Sequence, residues 1–389
     1  MPALSIVGVM GNTLITAAIP DIRDDLGVGS GAAGLLIAAT AAPGIVMAPL
    51  IGVLADRFGR REILLPCLVL FGFSGGLAAF ADSFGVLLAL RFAQGMGSAG
   101  LLNLAVTLIG DHWDGIERTR LIGRNAAVLI GSIVFLPPLG GLLADRWGWQ
   151  ATFVPFWVAI VLAGAVIVFV PPAERGGTRT IREQLRETAP YARSRTVLGA
   201  VVMTAAAFML IFGLFLTVMP VMLKDRFDVG PGGRGLVLSL AAVTSSAAAL
   251  SLARLTARFG LPAVMRFAAL LWIPAFVAIA AAPGLGVLGA GVLVYGFGEG
   301  LIIPTLQDAV AGAAPASSRG AVVALFVAFA RAGQTAGPLL GGLALTTVGG
   351  RGAFVAGAAV AVVLVAVQRS LLGSGQEPSE AAPNQGIPA

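Results

Sequence analysis

The sequence predicts an all-α membrane protein with twelve transmembrane helices in two pseudo-repeated six-helix bundles, and three observations predict it. Of 389 residues, 57% are hydrophobic and 11% charged, and the mean hydropathy is +0.93, values for a chain whose surface faces lipid. Apolar runs of roughly 20 residues, the length that carries an α-helix across the hydrocarbon core, recur along the chain between short charged loops. The chain also matches itself at a constant offset of 201 residues, the mark of an internal repeat.

Taken in order, the apolar runs place spans at roughly 4–20, 31–54, 63–81, 84–107, 121–144, 151–171, 197–222, 235–253, 265–282, 284–306, 320–346 and 352–368. The first begins almost at Met1 without a basic leader or a small-residue cleavage site, so it reads as a transmembrane helix rather than a signal peptide. Loops on one side carry seventeen Lys and Arg against six on the other, a bias that puts both termini in the cytoplasm. Only Lys224 is a lysine, and the basic residues orient the chain rather than attract nucleic acid. The expected organisation is a first bundle over 1–171, a cytoplasmic linker over 172–196 with Ile181 and Leu185 on one face, a second bundle over 197–372 and a disordered polar tail over 373–389.

The offset pairs Arg57-Phe58-Gly59 with Arg258-Phe259-Gly260, Gly95 and Gly97 with Gly296 and Gly298, and Gly140-Gly141 with Gly341-Gly342. Asp56 maps onto Ala257, so the acid of the first copy has no counterpart in the second. Two six-helix repeats of this kind place a substrate cavity at their interface, near the bilayer midplane.

Between the second and third spans the run Gly52-x-Leu54-Ala55-Asp56-Arg57-x-Gly59-Arg60-Arg61 resembles the signature loop of the major facilitator superfamily. The resemblance implies a conformational latch built from Gly52, Asp56, Arg57, Gly59 and Arg60, with Asp111 as a partner at the end of the fourth helix. Without a Cβ, Gly52 is expected to let helices approach closely and Gly59 to permit a tight turn. In the fourth span Arg91, Gln94, Gly95, Gly97 and Ala99 resemble the helix-four motif of the twelve-helix bacterial drug/proton antiporters, which implies proton coupling at Arg91. Pro137, Gly140 and Gly141 resemble the antiporter motif of the fifth helix, where Pro and Gly bend the helix and permit close packing. Leu136 and Ala127 stand where that motif has glycine, and the eleventh span carries the fuller Gly337-Pro338-Leu339-Leu340-Gly341-Gly342.

Polar groups inside spans are costly and therefore candidates for function. Glu299 is the one carboxylate well within a span, and a carboxyl that is protonated in one state and ionised in another behaves as a proton carrier. Arg91, Gln94 and Ser98 share a helix face and are expected to front a common cavity. Asn12, Thr16, Asn103, Tyr295, Arg331 and Gln334 lie at cavity depth as candidate substrate contacts, each equally able to bridge two helices. Phe208, Phe212 and Phe215 form a stripe expected to pack or face lipid.

No phosphate-binding G-x-x-x-x-G-K-[ST] run is present, the single His112 argues against a histidine metal site, and the single Cys67 permits no internal disulfide. The expectation is a secondary transporter of the bacterial inner membrane, not an enzyme, acting as a monomer without cofactor or nucleic acid and exporting a small lipophilic compound in exchange for protons. An importer of a sugar or organic acid shares the same fold, and a non-transporting membrane sensor is the alternative of another class.

Overall fold

The computed structural model describes residues 2–113, 115–169, 194–312 and 319–371. Eleven helices among them are long and apolar enough to cross a membrane: α1 (Ala3–Asp25), α2 (Ala32–Phe58), α3 (Arg60–Phe80), α5 (Gly115–Trp147), α6 (Trp149–Phe169), α7 (Val197–Phe227), α8 (Pro231–Phe259), α9 (Leu261–Ala281), α10 (Leu285–Gly312), α11 (Val322–Thr347) and α12 (Gly349–Arg369). The fourth segment, α4, covers its length as two pieces, Phe84–Ser98 and Leu101–His112, broken at Ala99-Gly100. Several helices outrun their apolar runs: α1 continues to Asp25 and α7 to Phe227, carrying charged residues beyond the hydrocarbon. Most of the expected linker (to residue 193) and the whole tail over 373–389 lie outside the described residues.

Local chemistry sets the turns. Gly59 ends α2 at φ +104° and Gly260 ends α8 at φ +79°, backbone conformations a side chain would strain. At both, the preceding pair stacks in the same way, Arg57 over Phe58 at 5.3 Å and Arg258 over Phe259 at 5.3 Å. Ser83 and Ser194 cap the helices after them, each hydroxyl accepting from a backbone N–H three residues on.

The repeat extends to packing. Gly95 of α4 lies against the backbone of Thr40, and its counterpart Gly296 of α10 lies against that of Ala241, the residue 201 positions after Thr40. Gly97 meets Cys67 and Phe71 of α3, while Gly298 meets their counterparts Ala268 and Trp272 of α9. Two apolar cores result, one built almost wholly from α1–α6 and the other from α7–α12.

Two helices of the interface between the halves depart from regular geometry. α1 changes from α-helix to a 3-10 turn over Thr16–Ala18, and α7 carries a π-helical stretch, Ile211–Val218, in which Thr217 bonds back to the carbonyl of Phe212. The π stretch turns Gly213 against Gly337 and Gly341 of α11, so those two glycines let α7 and α11 touch backbone to backbone. The aromatic stripe packs: Phe215 is buried, and Phe208 and Phe212 lean on the core of the second half.

Candidate functional site

The two halves meet along a seam that obeys the repeat. A Cβ on Gly34 of α2 would overlap the carbonyl of Pro338 in α11, and one on Gly235 of α8 would overlap that of Pro137 in α5; each residue of one contact stands 201 positions from its counterpart in the other. Gly342 on Gly31 and Gly141 on Gly232 continue the same pairing, with Gly141 also against the carbonyl of Pro231. The glycines and prolines expected to pack helices (Pro137, Gly140, Gly141, Pro338 and Gly342) therefore belong to this region, with Gly140 turned inward onto the carbonyl of Leu14.

At the same end the halves exchange charges. Arg23 of the first half holds Asp225 of the second through two bonds of 3.0 and 3.1 Å, and Lys224 of the second holds Asp24 of the first at 2.6 Å. Arg23 and Lys224 are repeat counterparts, as are Asp24 and Asp225, so each half gives its cation to the other's anion. Asp21 adds an asymmetric centre, accepting from Lys224 at 2.8 Å and from Arg234, whose side chain is 1% exposed. Asp145 accepts from the backbone N–H of Gly232 across the same interface. Toward the opposite end the overlaps cease: a Cβ on Gly52 or Gly123 would meet nothing within 4 Å. Gly52 thus does not mediate the close helix approach expected of it, because no neighbouring helix reaches it in this conformation.

The signature loop lies at that opposite end. Asp56 and Arg60 face each other at 3.8 Å one turn apart, Arg60 also donates to the carbonyl of Thr107 in α4, and Arg61 donates to that of Ile167 in α6. The loop is thereby tied to helices of its own half. The side chains of Asn103 and Asp111 lie outside the described residues.

At mid-depth of the first half sits Arg91, 0% exposed, its three nitrogens bonded to neutral oxygens: Nη1 to Gln94 Oε1 at 2.6 Å, Nη2 to Asn12 Oδ1 at 2.7 Å and Thr40 Oγ1 at 3.2 Å, and Nε to the carbonyl of Leu36 at 3.5 Å. No carboxylate enters this network. Arg91 and Gln94 do not front an open cavity, contrary to expectation, because α1 and α2 close over them. Thr16 is likewise buried and bonded to the carbonyl of Asn12, and Ser98 bonds to that of Gly95.

In the second half Glu299 is the fifteenth residue of the 28 in α10, half-buried, and forms no hydrogen bond or ion pair among the described residues. One turn earlier Tyr295 is fully buried, not a cavity wall: its ring stacks on Phe215 at 4.5 Å and Trp272 at 5.8 Å. Its hydroxyl has no hydrogen-bond partner among the described residues. Arg331, midway along α11, bonds only to Gln334 Oε1, at 3.2 Å, among the described residues.

The sequence pattern of the Major Facilitator Superfamily matches residues 3–234 and 201–388, which is nearly the whole chain. The chain belongs to the major facilitator superfamily. That is a family of transporters, not of enzymes. Among curated relatives it is 35% identical over 163 residues to the bacillibactin exporter of Bacillus subtilis, covering 40% of each chain. It is 34% identical over 166 residues to the chloramphenicol resistance protein of Streptomyces lividans, covering 42% of this chain and 41% of the relative. The matched region thus spans about 40% of those relatives' lengths. A bacterial homolog of the human lysosomal transporter Spinster shares the fold over 97% of both chains, with a TM-score of 0.82 at 18% identity.

In this superfamily member the reciprocal charge exchange is not evident from the order of spans and loops. From the apolar runs alone Arg23 and Lys224 read as loop cations, whereas both lie on helices, at the ends of α1 and α7. The signal that finds them is their equivalence under the repeat offset, Arg23-Asp24 against Lys224-Asp225.

Proposed function

We propose that this protein is a proton-coupled secondary transporter that exports a small lipophilic compound by alternating access, with both termini cytoplasmic, and that this conformation is closed toward the outer face. The observation that carries the reading is the charge exchange of Arg23 with Asp225 and Lys224 with Asp24. Ion pairs that hold two repeats together at one end, over a glycine seam, are contacts that break when the repeats rock. Export is supported by relatives named as an exporter and a resistance protein; the loop bias supports the orientation alone, with Asp24 and Asp228 outside and Arg118 inside.

Within this reading Glu299 loads and releases the proton, Arg91 with Gln94 and Asn12 forms the polar centre that changes state in the first half, and Asp56 with Arg57 and Arg60 latches the cytoplasmic end when the outer end opens. An unpaired carboxyl at mid-membrane depth is expensive unless it is protonated, which suits a group that must take up and give back a proton.

The test is export of a lipophilic dye from proteoliposomes under an imposed proton gradient, with and without an uncoupler. Gradient-driven export abolished by the uncoupler is the expected result, and accumulation in the opposite direction overturns the export reading. Labelling of single cysteines at Asp24 and Arg118 in a Cys67→Ala background decides orientation: an impermeant reagent reaches the first in intact cells and spares the second.

A further inference from the structure

Arg91 and Arg331 occupy comparable mid-helix positions in the two halves, and one is saturated while the other is available. Arg91 commits all three nitrogens inside a sealed network. Arg331 gives one hydrogen bond, to Gln334, out of the five donors of a guanidinium. Its remaining nitrogens are not among the buried atoms lacking a partner, so they are reached from outside, and no carboxylate of the described residues lies within ion-pair distance. A half-buried cation at mid-helix without an anion calls for one from solution.

The neighbourhood of Arg331 supplies the rest of a site. Its stem rests on α2, where a Cβ on Gly44 would stand 3.3 Å from Arg331 Cδ and 3.4 Å from Nε. Two residues before Gly44, about 3 Å along the axis, Ala42 bounds a groove of about 470 Å³ between α2, α4 and α11, a volume in the range of small-molecule sites. Leu35, Ala39, Leu88, Phe92 and Leu339 line it, and Thr335 supplies its one hydroxyl. Thr335 sits one turn from Arg331 and donates to that residue's carbonyl at 2.9 Å, so the groove and the guanidinium are consecutive along one face of α11.

We propose that Arg331 and Gln334, together with this groove, bind an amphiphilic monocarboxylate, the carboxylate on the guanidinium and the apolar body between α2, α4 and α11. The inference rests on the reading of the chain as a transporter of small lipophilic compounds and names the charge of one class of them. The planar guanidinium fork matches a carboxylate through two parallel bonds, which the round ammonium of a lysine does not. The groove, formed by both halves at the seam, would be remade when they rock, so occupancy is tied to the transport cycle.

The experiment measures saturable binding of radiolabelled octanoate to the purified full chain in lipid nanodiscs, beside octanol and octyltrimethylammonium as neutral and cationic matches. Octanoate is expected to bind at least about tenfold tighter than either, a difference of about 1.4 kcal/mol. Arg331→Gln should erase that preference while octanol binding persists, which also shows that the variant is folded. Arg331→Lys should keep part of the preference, and Ala39→Phe, which fills the groove, should weaken octanoate and octanol alike. Equal binding of the three ligands by the parent, or an undiminished octanoate preference in Arg331→Gln, overturns the proposal. If octanoate fails while proteoliposomes still export a lipophilic dye, the anion site alone is wrong. If octanoate binds through Arg331 but nothing is exported, the site stands and the export reading falls.

Discussion

Asp21→Asn should open the outer end. Asp21 bonds both Lys224 and Arg234, and Arg234 already has Nε and Nη1 buried without partners among the described residues. Removing the carboxylate leaves a buried guanidinium uncompensated, a change that costs about 3–5 kcal/mol in a fully buried pair. The Asp21 side chain is 27% exposed and Lys224 retains Asp24, so about 2 kcal/mol is the reasoned figure here. That corresponds to about thirtyfold in the balance of closed and open states, enough to bring an open state of about 1% to about a quarter of the population. Asp225→Asn is the internal comparison. Asp225 is 49% exposed, and Arg23 keeps Asp24 at 2.7 Å when it is lost, so the expected cost is about 0.5 kcal/mol, roughly a twofold shift. Spin labels on cysteines at Gly29 and Gly230, in a Cys67→Ala background, report the distance across that end by pulsed electron resonance. A long-distance population should appear in Asp21→Asn and barely in Asp225→Asn. An unchanged distribution in the first, or the reverse order of effects, would mean that the Asp21 pairs do not hold that end shut.

Glu299→Gln keeps the size and shape of the side chain but cannot titrate, so substrate-induced proton movement in proteoliposomes should vanish while substrate binding survives; coupling at the parental ratio would make Glu299 structural. Asp56→Asn should impair transport without lowering expression, and normal transport would reduce the Gly52–Arg61 loop to an orientation signal. Arg91→Lys keeps the charge but not the geometry that reaches Gln94, Asn12 and Leu36 together, so its transport should fall between the parent and Arg91→Ala; equal activity of the two variants counts against a role for charge. Gly235→Val drives a side chain into the carbonyl of Pro137, whereas Gly123→Val meets nothing within 4 Å. The first should lower the thermal unfolding midpoint, by an overpacking cost of about 1–3 kcal/mol, and the second should change it far less.

The spans, their order and the repeat were legible in the sequence, because a bilayer demands apolar runs of fixed length and a duplicated bundle keeps its tight contacts at a fixed offset. Gly59 could be read as a turn from its place between charged helix ends, and both it and its repeat counterpart Gly260 adopt positive φ. Which way each interior residue faces was settled by the packing of the helices alone. Inside a membrane the lipid is as apolar as the protein core, so hydrophobic periodicity does not separate a cavity wall from a buried face or a lipid-facing one. Arg91 and Tyr295 therefore read as cavity residues and proved sealed, and Gly52 read as a contact and proved open. The charges that join the two halves at one end lie about two hundred residues apart. Along the chain they look like loop cations and acids, and they become partners only when the repeat brings the two halves face to face.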